Sequence, residues 1–155
     1  MELNKITVDQ HLLAALYQGV LVTEQQGFQW LGGRANPILV VVNQPAAPYL
    51  SDEDLPFLTR MLNACQLTLE DVAIFNTARY PTASATEVLD FFLPRSVLCF
   101  GVSPASWGMP IDFPCYQLQP WKESTVMHAP GLAELANDTE QRKRCWASLK
   151  RLFNL

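Results

Sequence analysis

Pro37-Ile-Leu-Val-Val-Val-Asn-Gln-Pro45 carries the strongest signal of fold class in the chain. Ile38 to Val42 form an unbroken aliphatic run, which ends in two polar residues and a proline. A run without polar alternation is typical of a strand covered on both faces, such as a central strand of a parallel sheet. Because ligands of such sheets bind beyond the carboxyl ends of the strands, Asn43 and Gln44 are the first candidate site residues.

The same unit of apolar strand, polar loop and capped helix recurs along the chain. Apolar runs end at Phe75 and Phe100, and a weaker one ends at Met127. This alternation predicts an α/β fold, specifically a three-layer α/β/α arrangement with a four-stranded, mainly parallel sheet.

The predicted crossovers place the polar residues that follow the strands together. Right-handed connections bring the carboxyl ends of parallel strands to one edge of the sheet. Asn43, Asn76, Gly101 and His128 are therefore expected to line a single cleft.

Length and composition predict one globular domain. The chain has 155 residues, of which 49% are hydrophobic and 17% charged. We divide it into residues 1–36, an N-terminal helix and short hairpin, and residues 37–155, the core. The sequence has no apolar run near the roughly 20 residues of a membrane span and no signal-peptide pattern, so we expect a cytoplasmic protein without a membrane partner.

The cysteine and histidine spacing predicts neither a metal site nor another cofactor. Cys65, Cys99, Cys115 and Cys145 are widely separated, and there is no Cys-x-x-Cys pair. Structural zinc sites and iron–sulfur clusters need clustered ligands. We expect the four cysteines to be buried, reduced thiols that act as small hydrophobic side chains.

Charge is unevenly distributed along the chain. The net charge of -4 argues against a general nucleic-acid coat, yet five of the eleven basic residues lie between positions 142 and 151. Such a basic helix is usually a solvated face, and a DNA-binding or partner-binding role is the alternative.

Three segments resemble the motifs of the uracil-DNA glycosylase superfamily, within residues 37–152. They are Glu70-Asp-Val-Ala-Ile-Phe-Asn-Thr-Ala-Arg79, Ser96-Val-Leu-Cys-Phe-Gly-Val-Ser-Pro-Ala105 and Thr125-Val-Met-His-Ala-Pro130. The resemblance implies a glycosylase-like fold and DNA repair. It also implies that Asn76 binds the base and that His128 lies beside the base's carbonyl oxygen. Arg79, the basic residue close to Asn76, is positioned to contact nucleic acid and offset the acidic net charge.

The first motif of that superfamily is altered here. Val42-Asn-Gln-Pro-Ala-Ala47 keeps the proline but lacks the family's glycine, acid and tyrosine. Asn43 or Gln44 could hold a water but cannot take its proton, and general-base assistance is worth about 10²–10⁴-fold in rate. Asn43, Gln44 and His128 are the catalytic candidates that this segment and the last motif offer. Because the general-base carboxylate is missing, we expect a protein that is not an enzyme. If it is an enzyme, it is a DNA N-glycosylase-like hydrolase.

A narrower resemblance agrees with a loss of catalysis. His128-Ala-Pro-Gly-Leu-Ala-Glu-Leu135, followed by Asn137 and by a helix that contains Trp146, is similar to the psi subunit of the bacterial DNA polymerase III clamp loader. It implies a role in protein interactions during DNA replication, with clamp-loader or other replication proteins as partners. Because the net charge is acidic, we expect at most weak binding of single-stranded DNA. Asn76 and His128 also have a simpler interpretation, as residues that satisfy local loop hydrogen bonds.

Overall fold

The computed structural model describes residues 27–155, and a mixed five-stranded sheet forms their centre. The strands are β1 (Ile38–Val42), β2 (Val72–Asn76), β3 (Ser96–Phe100), β4 (Gln119–Trp121) and β5 (Ser124–Ala129), and the helices are α1 (Asp54–Ala64), α2 (Ala85–Phe92), α3 (Leu132–Ala136) and α4 (Thr139–Phe153). The order across the sheet is β2-β1-β3-β5-β4. The N-terminal helix and the first hairpin strand that the sequence predicts lie outside the described residues.

Strand β1 is central, as its apolar run predicts. It pairs in parallel with both β2 and β3, and all five of its residues are buried. The sheet nevertheless has five strands, not the four predicted. The additional strand, β4, is antiparallel to β5 and has only three residues, including Pro120. It forms because a tight turn at Lys122 and Glu123 returns the chain directly into β5.

Helices cover both faces of the sheet, and each face has its own hydrophobic core. Because side chains alternate along a strand, successive residues of β1 enter different cores. Val40 packs with α1, α3 and α4, whereas Val41 packs with α2. This two-sided burial explains why the core strands read as continuous apolar runs.

The outer edge of β2 is covered by the segment that precedes β1. Leu31 forms an isolated antiparallel bridge with Ile74, and residues 33–36 donate backbone hydrogen bonds to carbonyls of residues 69–72. Leu31 thus pairs with β2, and residues 28–30 have no regular secondary structure. The other strand of the predicted hairpin lies outside the described residues, so the hairpin stays a prediction. Gly32 permits the close approach, since its φ is +115° and an added Cβ would lie 2.3 Å from the Val72 carbonyl oxygen.

Local sequence signals set the starts of the helices. Ser84 and Glu87 form a reciprocal capping box at α2, and Asp138 caps α4 by accepting a hydrogen bond from the Gln141 amide. Ser51 Oγ accepts from the amide of Asp54 at the start of α1, at 3.1 Å. Within residues 27–155, no helix has both the length and the apolar character that a membrane-spanning helix requires.

Candidate functional site

The carboxyl ends of the four parallel strands meet at one edge of the sheet. The residues in register across this edge are Asn76 of β2, Val42 of β1, Phe100 of β3 and Ala129 of β5. His128 lies one residue before Ala129 and thus outside this row. The edge that the sequence predicted is present, but its two proposed base-binding residues are offset by one position.

This offset places Asn76 and His128 on opposite faces of the sheet. Asn76 shares its face with Ile74, which belongs to the core formed with α1, α3 and α4. His128 shares its face with Val126, which belongs to the core formed with α2. Strands β1 and β3 lie between them. The two side chains therefore do not converge, and the single cleft expected from the sequence is not formed by this pair.

The side-chain amide of Asn76 is bound to the chain's own backbone. Only 1% of this residue is exposed. Its oxygen accepts from the amides of Gln44, at 2.9 Å, and Ala78, at 3.1 Å. Its nitrogen donates to the carbonyls of Gln44 and Ala47, both at 2.9 Å, and Pro48, at 3.2 Å. An asparagine amide has two donor hydrogens and one acceptor oxygen, so this network occupies all its polar groups.

The side chain of Gln44 is likewise bonded to other groups of the chain. Its side chain donates to Asp54 Oδ2 at 2.6 Å and accepts from the Ser51 amide at 2.9 Å. These bonds join the loop after β1 to the start of α1. Asn43, by contrast, is exposed to solvent. Of the two candidates for holding a water, only Asn43 projects from the surface of the loop.

His128 lies in a buried position and contacts a loop that the sequence motifs did not include. Its Nε2–H donates to the carbonyl of Phe113, at 2.6 Å, because a carbonyl oxygen can only accept. Its Nδ1 lies 3.6 Å from Cys115 Sγ. The nearest polar partner of His128 beyond the backbone is thus a thiol. No sequence pattern pointed to Cys115, which is thirteen residues from the histidine.

The four cysteines are not equivalent, which corrects the prediction that all are buried. Cys65, Cys99 and Cys145 are buried, and burial raises the pKa of Cys65 to about 11 and those of the other two to about 12. Cys115 is exposed. It is the accessible thiol of the described residues.

Arg79, the predicted nucleic-acid contact, lies beside the loop that Asn76 holds. Its guanidinium donates to Gln29 Oε1 at 3.2 Å and stands 5.5 Å from the centre of the Tyr49 ring. Burial raises the pKa of Tyr49, and the positive charge of Arg79 opposes that rise. Arg79 is exposed, so its nucleic-acid role stays a prediction.

A separate apolar groove, of about 440 Å³, lies between α1 and α4. Six of its eight lining side chains are apolar, and we call these six the floor; the other two are arginines. The lining residues are Phe57, Arg60, Met61, Ala136, Arg142, Cys145, Trp146 and Leu149. A second hollow, of about 710 Å³, lies between α2 and the β4–β5 turn, and six of its ten lining residues are polar or charged.

The two arginines of the groove differ in their contacts. Arg142 is held by the end of α3, donating to the carbonyls of Leu135 at 3.0 Å and Ala136 at 2.7 Å. Arg60 is exposed on α1. Helix α4 as a whole has five basic residues and one acidic residue, a net charge of +4 in a chain whose net charge is -4.

No protein-family model matches the chain, and no curated protein matches it at a significant level. Among residues 27–155, no three histidine, cysteine, aspartate or glutamate side chains lie together as ligands of a metal ion would. The candidate functional surfaces are therefore the Arg79 loop, the Cys115–His128 pair and the groove between α1 and α4.

Proposed function

We propose that this protein acts by binding another protein and not by catalysis, and that the groove between α1 and α4 is the binding surface. The observation that carries this proposal is an apolar groove that stays open within residues 27–155 and lies beside a strongly basic helix. The proposed occupant is a protein segment that carries apolar side chains flanked by acidic residues.

The floor of the groove supports a peptide occupant. Phe57, Met61 and Trp146 are each partly buried, so each still presents apolar surface at the groove. Removing apolar surface from water contributes about 25 cal/mol per Å². Aromatic side chains and arginine are also the residue types most enriched at the energetic centres of protein interfaces.

The charge around the groove supports an acidic partner. Arg60 of α1 and Arg142 of α4 both line the groove, and the Lys150 ammonium lies 5.9 Å from the centre of the Trp146 ring. Opposite charge on the partner would speed association and fix its orientation. Nucleic acid is the less favoured occupant, because phosphates gain little from a floor lined by phenylalanine, methionine and tryptophan.

We further propose a role in DNA replication, with a clamp-loader component or another replication protein as partner. This part rests on the similarity of residues 128–146 to the psi subunit, and Trp146 belongs both to that segment and to the groove. The proposed fold class is a three-layer, glycosylase-like α/β/α arrangement, which the two cores on opposite faces of the sheet support.

The alternative, a uracil-DNA glycosylase or base-binding protein, has less support. To bind a base, Asn76 would have to exchange five hydrogen bonds to the backbone for bonds to the ligand. Gln44 is similarly engaged by Asp54 and Ser51.

The experiment compares full-length wild type with Arg60→Glu, Trp146→Ala and a matched control, Arg95→Glu. Arg60 and Arg95 are both exposed, and Arg95 lines the other hollow, so both reversals change charge equally. Purified clamp-loader subunits of the same organism are titrated onto each variant by calorimetry, after circular dichroism has shown equal folding.

Wild type and Arg95→Glu are expected to bind, and Arg60→Glu to bind about tenfold more weakly, a loss of about 1.4 kcal/mol. Trp146→Ala should lose more, because it removes the largest side chain of the floor. Equal affinity of all four proteins for the clamp-loader subunits would show that the partner does not bind at the groove. Concentration-dependent dimerisation lost in Trp146→Ala would identify a second copy as occupant, and binding of DNA oligonucleotides lost in Arg60→Glu would identify nucleic acid.

A further inference from the structure

Cys115 and His128 form a pair whose geometry is fixed by the backbone. The loop that carries the thiol is tied to β5 twice: His128 Nε2–H donates to the Phe113 carbonyl at 2.6 Å, and the Tyr116 amide donates to the His128 carbonyl at 3.0 Å. These bonds flank Cys115 on both sides in the chain. They hold Sγ at 3.6 Å from Nδ1, within hydrogen-bond distance for sulfur.

The hydrogen bond at Nε2 determines what Nδ1 can do. A neutral imidazole carries one ring proton, and the Phe113 carbonyl holds it on Nε2. Nδ1 then carries no proton, and its lone pair can accept the proton of the Cys115 thiol. His128 is only 9% exposed, whereas Cys115 is exposed, so the base is shielded and the sulfur is open to a reagent.

This thiol needs a base in order to react at neutral pH. Burial raises the pKa of Cys115; Arg144 and the backbone hydrogen bond at Cys115 oppose that rise, and Glu134 adds to it. A thiol that is mostly protonated reacts when an adjacent group takes its proton, which is how a cysteine–histidine pair activates sulfur. The charged groups that face the thiol are Arg144 of α4 and Glu134 of α3, and the phenol of Tyr116 also adjoins it.

We propose that Cys115 and His128 form a nucleophilic thiol site that undergoes exchange with disulfides of small molecules. The Cys115 proton passes to His128 Nδ1, and the sulfur electron pair attacks one sulfur of the incoming disulfide. The Cys115–sulfur bond forms as the disulfide bond breaks. The departing thiolate takes the proton from Nδ1 or, where it is a weakly basic aromatic thiolate, leaves as the anion while Nδ1 releases the proton to solvent. The products are a mixed disulfide at Cys115 and one free thiol, with no other oxidant or reductant.

The test uses full-length protein and 5,5′-dithiobis(2-nitrobenzoate), an aromatic disulfide whose released thiolate is coloured. Three proteins are compared: wild type, Cys115→Ser and His128→Gln. The glutamine amide can still donate to the Phe113 carbonyl but cannot accept a proton from the thiol. The rate of thiolate release is measured from pH 5 to pH 9.

Wild type is expected to release one equivalent in a fast phase, and Cys115→Ser to lose that phase. His128→Gln should slow it at least about tenfold at neutral pH and move the rise of the rate to the alkaline range of an unassisted thiol. An unfolded His128→Gln would show itself by the rapid reaction of more than one thiol. In that case the test rests on the pH dependence of the wild-type rate alone. If that rate rises only in the alkaline range of an unassisted thiol, the proposal is overturned. Equal rates and profiles for wild type and a folded His128→Gln overturn it as well.

Discussion

Replacing Asn76 by alanine is expected to destabilise the fold severely, although the residue lies at the edge of the sheet where a ligand site was predicted. The side chain is buried and bonded to backbone groups of two loops, the loop after β1 and the turn after β2. Alanine removes every one of these bonds without removing the backbone groups that made them.

The magnitude follows from the number and burial of the groups left without a partner. Five hydrogen-bond contacts join the Asn76 amide to the backbone, and the three that its nitrogen donates share two hydrogens. Each contributes about 0.5–1.5 kcal/mol net. The loop at 44–48 is partly exposed, so water can replace part of this bonding. We expect Asn76→Ala to lower the free energy of unfolding by about 3–4 kcal/mol, well above the usual effect of a point mutation.

The assay is urea denaturation followed by circular dichroism, with Asn43→Ala as the matched control. Asn43 is also an asparagine just after a core strand, but it is exposed, and its replacement should change the free energy of unfolding by less than about 0.5 kcal/mol. Asn76→Asp adds a second test. It keeps an acceptor for the amides of Gln44 and Ala78, yet sets a negative charge against three carbonyl oxygens, so its stability should improve as the pH falls and the carboxylate becomes protonated.

A loss below about 1 kcal/mol in Asn76→Ala, comparable with that of Asn43→Ala, would refute this reasoning. It would mean that the amide is not needed by the fold, and a ligand-binding role for Asn76 would regain support.

Three further predictions concern activity, nucleic acid and the edge of the sheet. DNA that contains uracil should release no more base than a control without protein; release that Asn76→Ala abolishes, measured by chromatography, would contradict this. Single-stranded DNA should bind weakly and only at low salt, because phosphate contacts are salt-dependent, and Arg79→Ala should weaken it further in a fluorescence titration. Unchanged binding would exclude Arg79 as a contact. Gly32→Ala should lower the free energy of unfolding, measured by urea denaturation, by more than about 2 kcal/mol. The reason is that its Cβ would lie 2.3 Å from the Val72 carbonyl oxygen, at a φ of +115°. A smaller loss would show that residues 31–36 leave the β2 edge easily.

The sequence was informative about the strands because burial on both faces leaves a strong signal. Continuous apolar runs predicted β1, β2, β3 and β5, and their carboxyl ends were placed to within about two residues. Strand β4 was not found at its observed position. It has three residues and includes Pro120, so it has too few apolar positions to show a periodicity.

The relation between Asn76 and His128 could not be predicted, because it depends on register. Each was correctly placed near the carboxyl end of a parallel strand. A shift of one residue moves a side chain to the other face of a sheet, and no sequence pattern fixes the register of distant strands to one residue. The Cys115–His128 contact was missed for a related reason, since it depends on the path of an irregular loop at 101–118.

The two faces of the sheet differ in how the chain covers them, and this difference bears on where a partner binds. On the α2 side, residues 28–34 complete an aromatic cluster: Phe28 contacts Phe75, Tyr80 and Phe91 edge-to-face, and Arg34 donates to the carbonyls of Phe91 and Phe92. On the α1 and α4 side, the groove stays open within the described part of the chain, with Trp146 in its floor.

Open apolar surface of this kind is a common mark of an interaction site, whereas surface that the chain itself covers is not. The carboxyl edge of the sheet offers less room for a ligand, because Asn76 and Gln44 already hold the loop over it. A partner that binds the groove would contact α1 and α4 without disturbing that edge. Variants of the groove should therefore lose binding while keeping the stability that Asn76 provides, and variants of Asn76 should lose stability first.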